Sequence, residues 1–282
     1  MLIDSRYLKA PSSLQGTREC AFSNLLSNPQ ICNLQSAIIS PVSSLVTVPL
    51  MDVVVSTPRS RLITLDLQGT GFTFLAGQAV TVGGHGQPLR RPYSIACSPE
   101  RASEIAALEL LIGLDASGAA GPHLSTLVAG SPIDVQGPLG AFTFPESLTH
   151  RRLLFVAGGT GIAPLRSMLD HALRKHPAEQ ISLLYSARRA DEFAFIEELR
   201  AYEDASLIEL HPTVTRNDHR WEGGRGRIGR SHFEAVLHDR LDTLCFICGP
   251  SALVSEAVTT LTALGVPRAA IRTEEWKSSP RK

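Results

Sequence analysis

The hydropathy of this chain changes its period once, near residue 150, and that change restricts the fold more than any other feature. From about Ser44 to Phe144 the apolar residues come in short runs: VTVPLMDVVVS, RLITLDL, QAVTV, YSIAC, ALELLIGL and PIDVQ. Turn residues or Gly- and Pro-rich stretches separate them. Alternating or continuous apolar runs of this length read as strands, and roughly six at this spacing predict a small antiparallel barrel. Pro145 to His150 reads as a linker. From Arg151 onward the strands LLFVAGG, ISLLYSA, TLCFICG and AAIRTEEW alternate with helical segments. These are APLRSMLDHALRKH, DEFAFIEELRAY with its early acidic residues, SHFEAVL and LVSEAVTTLTALG. SHFEAVL is expected to open with a Ser231–Glu234 capping box, and Gly265 to close the last helix. Strand–helix alternation predicts a parallel sheet with helices on both faces. The expected fold is therefore two-domain: an antiparallel β-barrel over 44–146, then an α/β parallel-sheet domain over 151–276, with an extension at 1–43 and a tail at 277–282.

Composition narrows the function classes. A length of 282 residues suits two domains, and 43% apolar with 19% charged residues excludes global disorder. Lys plus Arg and Asp plus Glu are 27 each, which leaves no net basic field to draw nucleic acid or an anionic membrane. No apolar run approaches the roughly 20 residues needed to span a bilayer, and no secretory pattern opens the chain. Residues 1–43, rich in Ser, Leu, Asn and Pro, read as a floppy extension or as a start codon placed too far upstream. Only two acidic residues, Asp4 and Glu19, among many Ser would suit a weak organelle-targeting peptide, but the scarcity of Arg and the lack of a basic amphipathic helix argue against one. Five cysteines point to a reducing compartment and a cytoplasmic location. No cysteine set has iron–sulfur spacing, and no metal site is expected. Cys245 and Cys248 form a C-x-x-C, but inside an apolar strand, whereas a redox pair opens a helix. They read as structural.

Two segments carry candidate chemistry. In LLFVAGGTGIAPLR, Gly159 and Gly161 stand between a buried strand and a helix. There the backbone can approach a phosphate and the helix N-terminus offers free N–H groups. The spacing is G-x-G-x-x-P rather than the dinucleotide G-x-G-x-x-G, and Pro164 suits a first helical turn. Glycines at such a turn can equally be structural. In RPYSIACSP, Arg91 and Tyr93 face the same way by alternation. A cation and a ring could hold an extended, phosphate-bearing aromatic ligand. Composition alone reads them as a surface Arg and a packed Tyr.

Taken together, RPYSIACSP at 91–99, GPLGAF at 137–142, AGGTGIAP at 157–164 and CGP at 248–250 resemble, in order and spacing, the ferredoxin–NADP reductase family of flavoproteins. The similarity covers about residues 45 to 276. It implies a barrel that binds FAD and an α/β domain that binds NADPH or NADH. By residue, it implies Arg91 at the flavin pyrophosphate within Arg91-Pro92-Tyr93-Ser94-Ile95, Tyr93 against the isoalloxazine and Ser94 near flavin N5. GPHLST would give the second phosphate contact through the backbone at His123 and Leu124 and the Ser125 hydroxyl. Pro122 stands where the family has Gly, and Gly is at 121. Gly158, Gly159, Thr160, Gly161 and Pro164 would meet the nicotinamide nucleotide. Cys248 would lie beside nicotinamide C4, with Gly249 and Pro250 shaping the turn, and Ser94 and Cys248 would be the catalytic pair. Trp276 matches the late aromatic near the flavin, although six residues follow it.

Past the second strand of the α/β domain stand Ser186, Arg188 and Arg189, with Arg216 after the next strand. These favour a 2′-phosphate and hence NADPH, whereas an inward Asp191 or Glu192 would favour NADH. The implied activity passes hydride from NAD(P)H to FAD. Without an iron–sulfur or haem motif, the acceptor must be separate: a ferredoxin, a flavodoxin, an oxygenase component, or a small acceptor such as free flavin or a quinone. The alternative is a non-catalytic, cofactor-binding regulatory subunit.

Overall fold

Alternation puts one face of each strand against a core, and here it builds two sheets. The structure, a computed structural model, describes residues 44–114, 124, 128–176, 178, 180–216, 218–237 and 241–276, and both sheets belong to one compact unit. The first sheet contains β1 (Ser44–Thr57), β2 (Ser60–Asp66), β3 (Ala79–Gly84), β4 (Arg91–Ser94), β5 (Ala107–Gly113) and β6 (Pro132–Leu139), in the order β4-β3-β6-β1-β2-β5. Every pairing in it is antiparallel. β1 pairs with β6 through its first half and with β2 through its second, so one long strand turns the corner of the barrel. An Ile95–Leu110 bridge joins the two ends of the sheet. Val48, Leu65, Val80, Ile95, Leu110, Ile133 and Val135 fill the interior.

The sequence reading carried YSIAC as one strand. In the structure β4 stops at Ser94 and a helix follows, α1 (Pro99–Ile105). The Ser98 hydroxyl accepts the Arg101 N–H at 3.0 Å, and Pro99 occupies the first turn. A Ser cap followed by Pro is the local signal for that helix.

The second sheet is wholly parallel: β7 (Arg152–Gly158), β8 (Gln180–Ala187), β9 (Glu209–Val214), β10 (Gly224–Arg225), β11 (Thr243–Pro250) and β12 (Ile271–Trp276), ordered β10-β9-β8-β7-β11-β12. α2 (Ile162–Lys175) and α3 (Ile196–Asp204) pack with Phe155, Leu183 and Phe246 on one face. α4 (Arg230–Val236) and α5 (Ser251–Ala263) pack with Leu154, Leu184 and Ile247 on the other. Cys245 and Cys248, three residues apart on β11, therefore enter opposite cores. Burial pushes the Cys245 thiol up to about 12.

Two helix starts differ from the sequence reading. α3 begins at Ile196 rather than near Asp191, because Phe193 and Ala194 drop into the core and Phe195 takes a φ of 59°. α4 begins at Arg230, with no Ser231–Glu234 box. The His232 ring accepts the Gly229 N–H at 3.2 Å, and Glu234 pairs with Arg230 at 2.8 Å instead. Gly265, at φ 93°, closes α5 as expected.

Candidate functional site

From β7 the chain builds the sheet outward through β8, β9 and β10, then returns to the other side of β7 at β11. The C-terminal ends of β7 and β11 thus flank a topological switch point, where open α/β sheets bind ligands. Gly158 ends β7 and Gly159–Gly161 forms a short turn into α2. The two glycines of this turn serve different ends. Gly159 has φ 55°, and a Cβ added there meets nothing within 4 Å. Its outer face is therefore open. A Cβ on Gly161 would collide with the Cys248 carbonyl, so its missing side chain lets the turn pack on β11. Of the two glycines expected to open the backbone, Gly159 faces open space and Gly161 faces β11. Gly158 and Gly249 are likewise in close approach, with an added Cβ on Gly249 only 2.9 Å from Leu253 and 3.2 Å from Gly158. Pro164 is buried in the first turn of α2, which has no side-chain cap.

Across the switch point a carboxylate joins the two sheets. Glu274 on β12 stands in register with Cys248 on β11. Its Oε2 accepts the Ser94 hydroxyl at 3.3 Å and lies 3.9 Å from the Cys248 sulfur. Burial raises the Glu274 carboxyl above its ordinary value, although the bonds from Ser94 and Cys248 pull the other way. Burial, then the carboxylate beside it, pushes the Cys248 thiol well up. A thiol so raised stays protonated and is no nucleophile. The sequence reading named Ser94 and Cys248 and missed Glu274, whose only sequence signal is its place in the TEEW strand.

Arg91 is exposed at the start of β4, opposite Val82, and Pro92 beside it is exposed. Tyr93, opposite Val80, is half-buried against the barrel core, and burial raises its phenol. Ile95 is fully buried and its N–H donates to the Gln78 carbonyl at 2.9 Å. The neighbouring Arg90 reaches Asp134 at 3.0 Å and keeps its buried Nε without a partner. Leu124 is buried in the barrel core; His123 and Ser125 lie outside the described residues.

At the far end of the sheet, Ser186 on β8 stands between Gly158 and Thr213. The Arg216 N–H donates to the Arg188 carbonyl at 3.0 Å, so the ends of β8 and β9 bring both arginines to one rim. Arg216 is exposed, and Arg189 lies 3.6 Å from Asp191. Asp218 caps this rim. The Ala190 and Arg220 amides, with Arg189 nearby, hold its carboxylate below the usual range. Trp276 ends β12 in register with Pro250, the last residue of β11.

The barrel and the parallel sheet are fastened beneath the site by α2. Arg166, 3% exposed, donates to the Ala96 carbonyl at 2.9 Å, to Glu109 at 2.7 Å and to Glu198 at 2.7 Å. Its guanidinium lies 4.3 Å from the Phe195 ring centroid. Burial alone would raise the Glu109 carboxyl, but Arg101 and Arg166 hold it below its ordinary value. Ser167 donates to the Cys97 carbonyl at 2.6 Å and Ser98 to Asp170 at 2.5 Å. The segment after Ser94 is thereby bonded to the helix that follows the Gly159 turn.

These donors suit two nucleotide cofactors: an exposed guanidinium, a ring and a hydroxyl on the barrel, and an open glycine turn on the sheet. Among the described residues, no three His, Cys, Asp or Glu side chains converge to hold a metal ion, and no helix is long and apolar enough to cross a membrane. A cavity of about 570 Å³ lined by Arg200, His211, Arg220, Trp221 and His232 adjoins the Asp218 rim through Arg220.

Comparison with known proteins bears on the same segments. The oxidoreductase FAD-binding domain family matches residues 49–144, and the oxidoreductase NAD-binding domain family matches residues 155–259. Ferredoxin–NADP reductase B of Sorangium cellulosum is 32% identical over 222 residues, covering 74% of this chain and 87% of that protein. One component of the 1,2-phenylacetyl-CoA epoxidase of Escherichia coli is 29% identical over 217 residues, 73% of this chain and 60% of that component. The nitrate reductase of Hordeum vulgare is 32% identical over 200 residues, but this chain spans only 22% of it. Among solved structures, the ferredoxin reductase in carbazole 1,9a-dioxygenase superposes with a TM-score of 0.72 at 24% identity, over 83% of this chain and 69% of that one. The Neisseria gonorrhoeae ferredoxin NADP+ reductase with bound FAD and NADP gives 0.70 at 22%, over 82% and 98%. Both likenesses are of fold.

Proposed function

The chain belongs to the ferredoxin–NADP reductase family of flavoproteins, and from that premise we propose that it oxidises NADPH through FAD and passes the electrons to a separate protein acceptor. The observation that carries this reading is the Glu274 carboxyl joining Ser94 and Cys248 at the switch point. A hydroxyl from the barrel and a thiol from the parallel sheet there share one oxygen. FAD, when bound, supplies two-electron acceptance from a nicotinamide and one-electron release to an acceptor.

We assign the flavin to 44–146 and the coenzyme to 151–276. Arg91 would pair with the flavin pyrophosphate through its planar fork, Tyr93 would lie along the ring system, and Ser94, whose hydroxyl donates to Glu274, would stand at its reacting edge. The Gly159 turn and the α2 N-terminus receive the coenzyme phosphates. The protonated Cys248 thiol bounds the nicotinamide pocket without attacking it, and the Glu274 carboxyl, raised above its ordinary value by burial, lies within hydrogen-bond reach of Ser94. The acceptor is an oxygenase component or a ferredoxin, as the names of the epoxidase component and the reductase relative suggest. The three described cysteines are free and buried, which suits a reducing compartment, and we assign the protein to the cytoplasm.

The test is optical. Purified protein should be yellow, release FAD on denaturation and bleach with NADPH under anaerobic conditions. A screen of ferredoxins, oxygenase components, free flavin and quinones then identifies the acceptor. Protein that carries no flavin, or flavin that neither NADPH nor NADH reduces, overturns the reading in favour of a non-catalytic regulatory role.

A further inference from the structure

One buried hydroxyl lies between the two ends of the proposed coenzyme site. Tyr185 is on β8, in register with Ala157 of β7 and Pro212 of β9, and is 0% exposed. Its hydroxyl donates to the Gly159 carbonyl at 3.2 Å and accepts the Ala194 N–H at 3.1 Å. Gly159 opens the phosphate-facing turn at positive φ, and its carbonyl also accepts the Ile162 N–H. Ala194 closes the segment that leaves Arg188 and Arg189 and runs through the short turn Ala190–Glu192. Asp218 fixes that segment's start by accepting the Ala190 N–H at 3.0 Å. The Tyr185 ring is gripped from its side, with Phe193 edge-on at 4.9 Å and Trp221 against Phe193 at 5.4 Å. The hydroxyl's donor and one acceptor site are therefore both used, and the ring cannot swing to seek other partners.

We infer that Tyr185 is a positioning residue for the nicotinamide coenzyme: its hydroxyl sets the Gly159 peptide and ties it to the segment that carries the adenosine-side residues. This rests on the dinucleotide-site reading above and adds to it a group that touches no ligand. Removing the hydroxyl takes away one of the bonds that hold the Gly159 carbonyl, leaving the Ile162 N–H on it, and leaves the buried Ala194 N–H without its Tyr185 partner. The two ends of the site then lose their common anchor. The 2′-phosphate plays no part in the link, so NADPH and NADH should suffer alike, unlike the effect of changing Arg188 and Arg216.

The experiment compares flavin-loaded wild type with Tyr185→Phe, which keeps the ring and its packing. KM for NADPH and for NADH should each rise about tenfold, the scale of a buried group losing its partner. The turnover number should stay within about twofold and flavin content should be unchanged, because binding rather than the reacting geometry is weakened. Amide exchange on the wild type gives a second reading that needs no variant. The Ala194 N–H should gain protection when NADP+ binds. Unchanged KM values, a rise for NADPH alone, an equal fall in turnover with loss of flavin, or no gain in Ala194 protection would each overturn the inference while leaving the coenzyme site in place. Wild-type protein that binds neither coenzyme would overturn the site reading, and this inference with it.

Discussion

At Cys248 the useful property is what the thiol does not do. Burial and the Glu274 carboxyl keep it protonated, and Glu274 beside it has its own carboxyl raised by burial. The folded protein keeps a proton on Glu274 that the unfolded chain has released. Stability attached to this site is therefore present below the ordinary glutamate value of 4.5 and falls as pH rises from there through the raised folded value. Glu274→Gln should flatten that decline in urea midpoints measured across the window; an unchanged slope would show that the carboxyl titrates as if exposed. The two glycines of the turn make a second test at this scale. Gly161→Ala forces a methyl onto the Cys248 carbonyl and should destabilise by about 1–3 kcal/mol or more. Gly159→Ala has open space and should cost only about 1–2 kcal/mol of left-handed strain, while weakening coenzyme binding. Equal denaturation midpoints with equal KM values would contradict the division of roles.

Among the elements, β8 and β9 matter for where they end. A parallel pair delivers its C-terminal residues to the same edge, and the Arg216–Arg188 backbone bond pins the two loops together there. Changing both arginines to Ala should raise KM for NADPH strongly and leave NADH nearly untouched, because only the 2′-phosphate distinguishes the two coenzymes. Equal losses with both, or a wild-type preference for NADH, would return the arginines to the solvated surface. α1 teaches a different lesson. Its cap, Ser98, also donates to Asp170 of α2, so a seven-residue helix too short to stand alone is held by the element it packs against.

For the whole molecule, the decisive contact is Arg166. Hydride transfer needs a flavin on one sheet and a nicotinamide on the other in register to within a fraction of an ångström. Arg166 is bonded to Ala96 and Glu109 of the barrel and to Glu198 of the parallel-sheet half. Arg166→Leu would leave Glu109 and Glu198 without it. Breaking a buried pair by removing one partner costs about 3–5 kcal/mol, and that loss should appear as a lower urea midpoint together with slower flavin reduction in rapid mixing. A change under about 1 kcal/mol would mark the cluster as a solvated surface pair.

Local periodicity determined much of this protein. The switch near residue 150 foretold both sheets, and the strand-to-helix glycine turn was readable because strand alternation and helix entry are short-range. The same holds for Cys245 and Cys248, whose spacing on one strand sends them to opposite faces. The tertiary structure decided what no window of sequence contains. Glu274 meets Ser94 across 180 positions, Gly161 is spent on a carbonyl of β11, and the Tyr185 hydroxyl finds Gly159 beneath the turn. In each case the partner is fixed by how neighbouring strands register and how two sheets meet, and side-chain period along the chain carries no information about either.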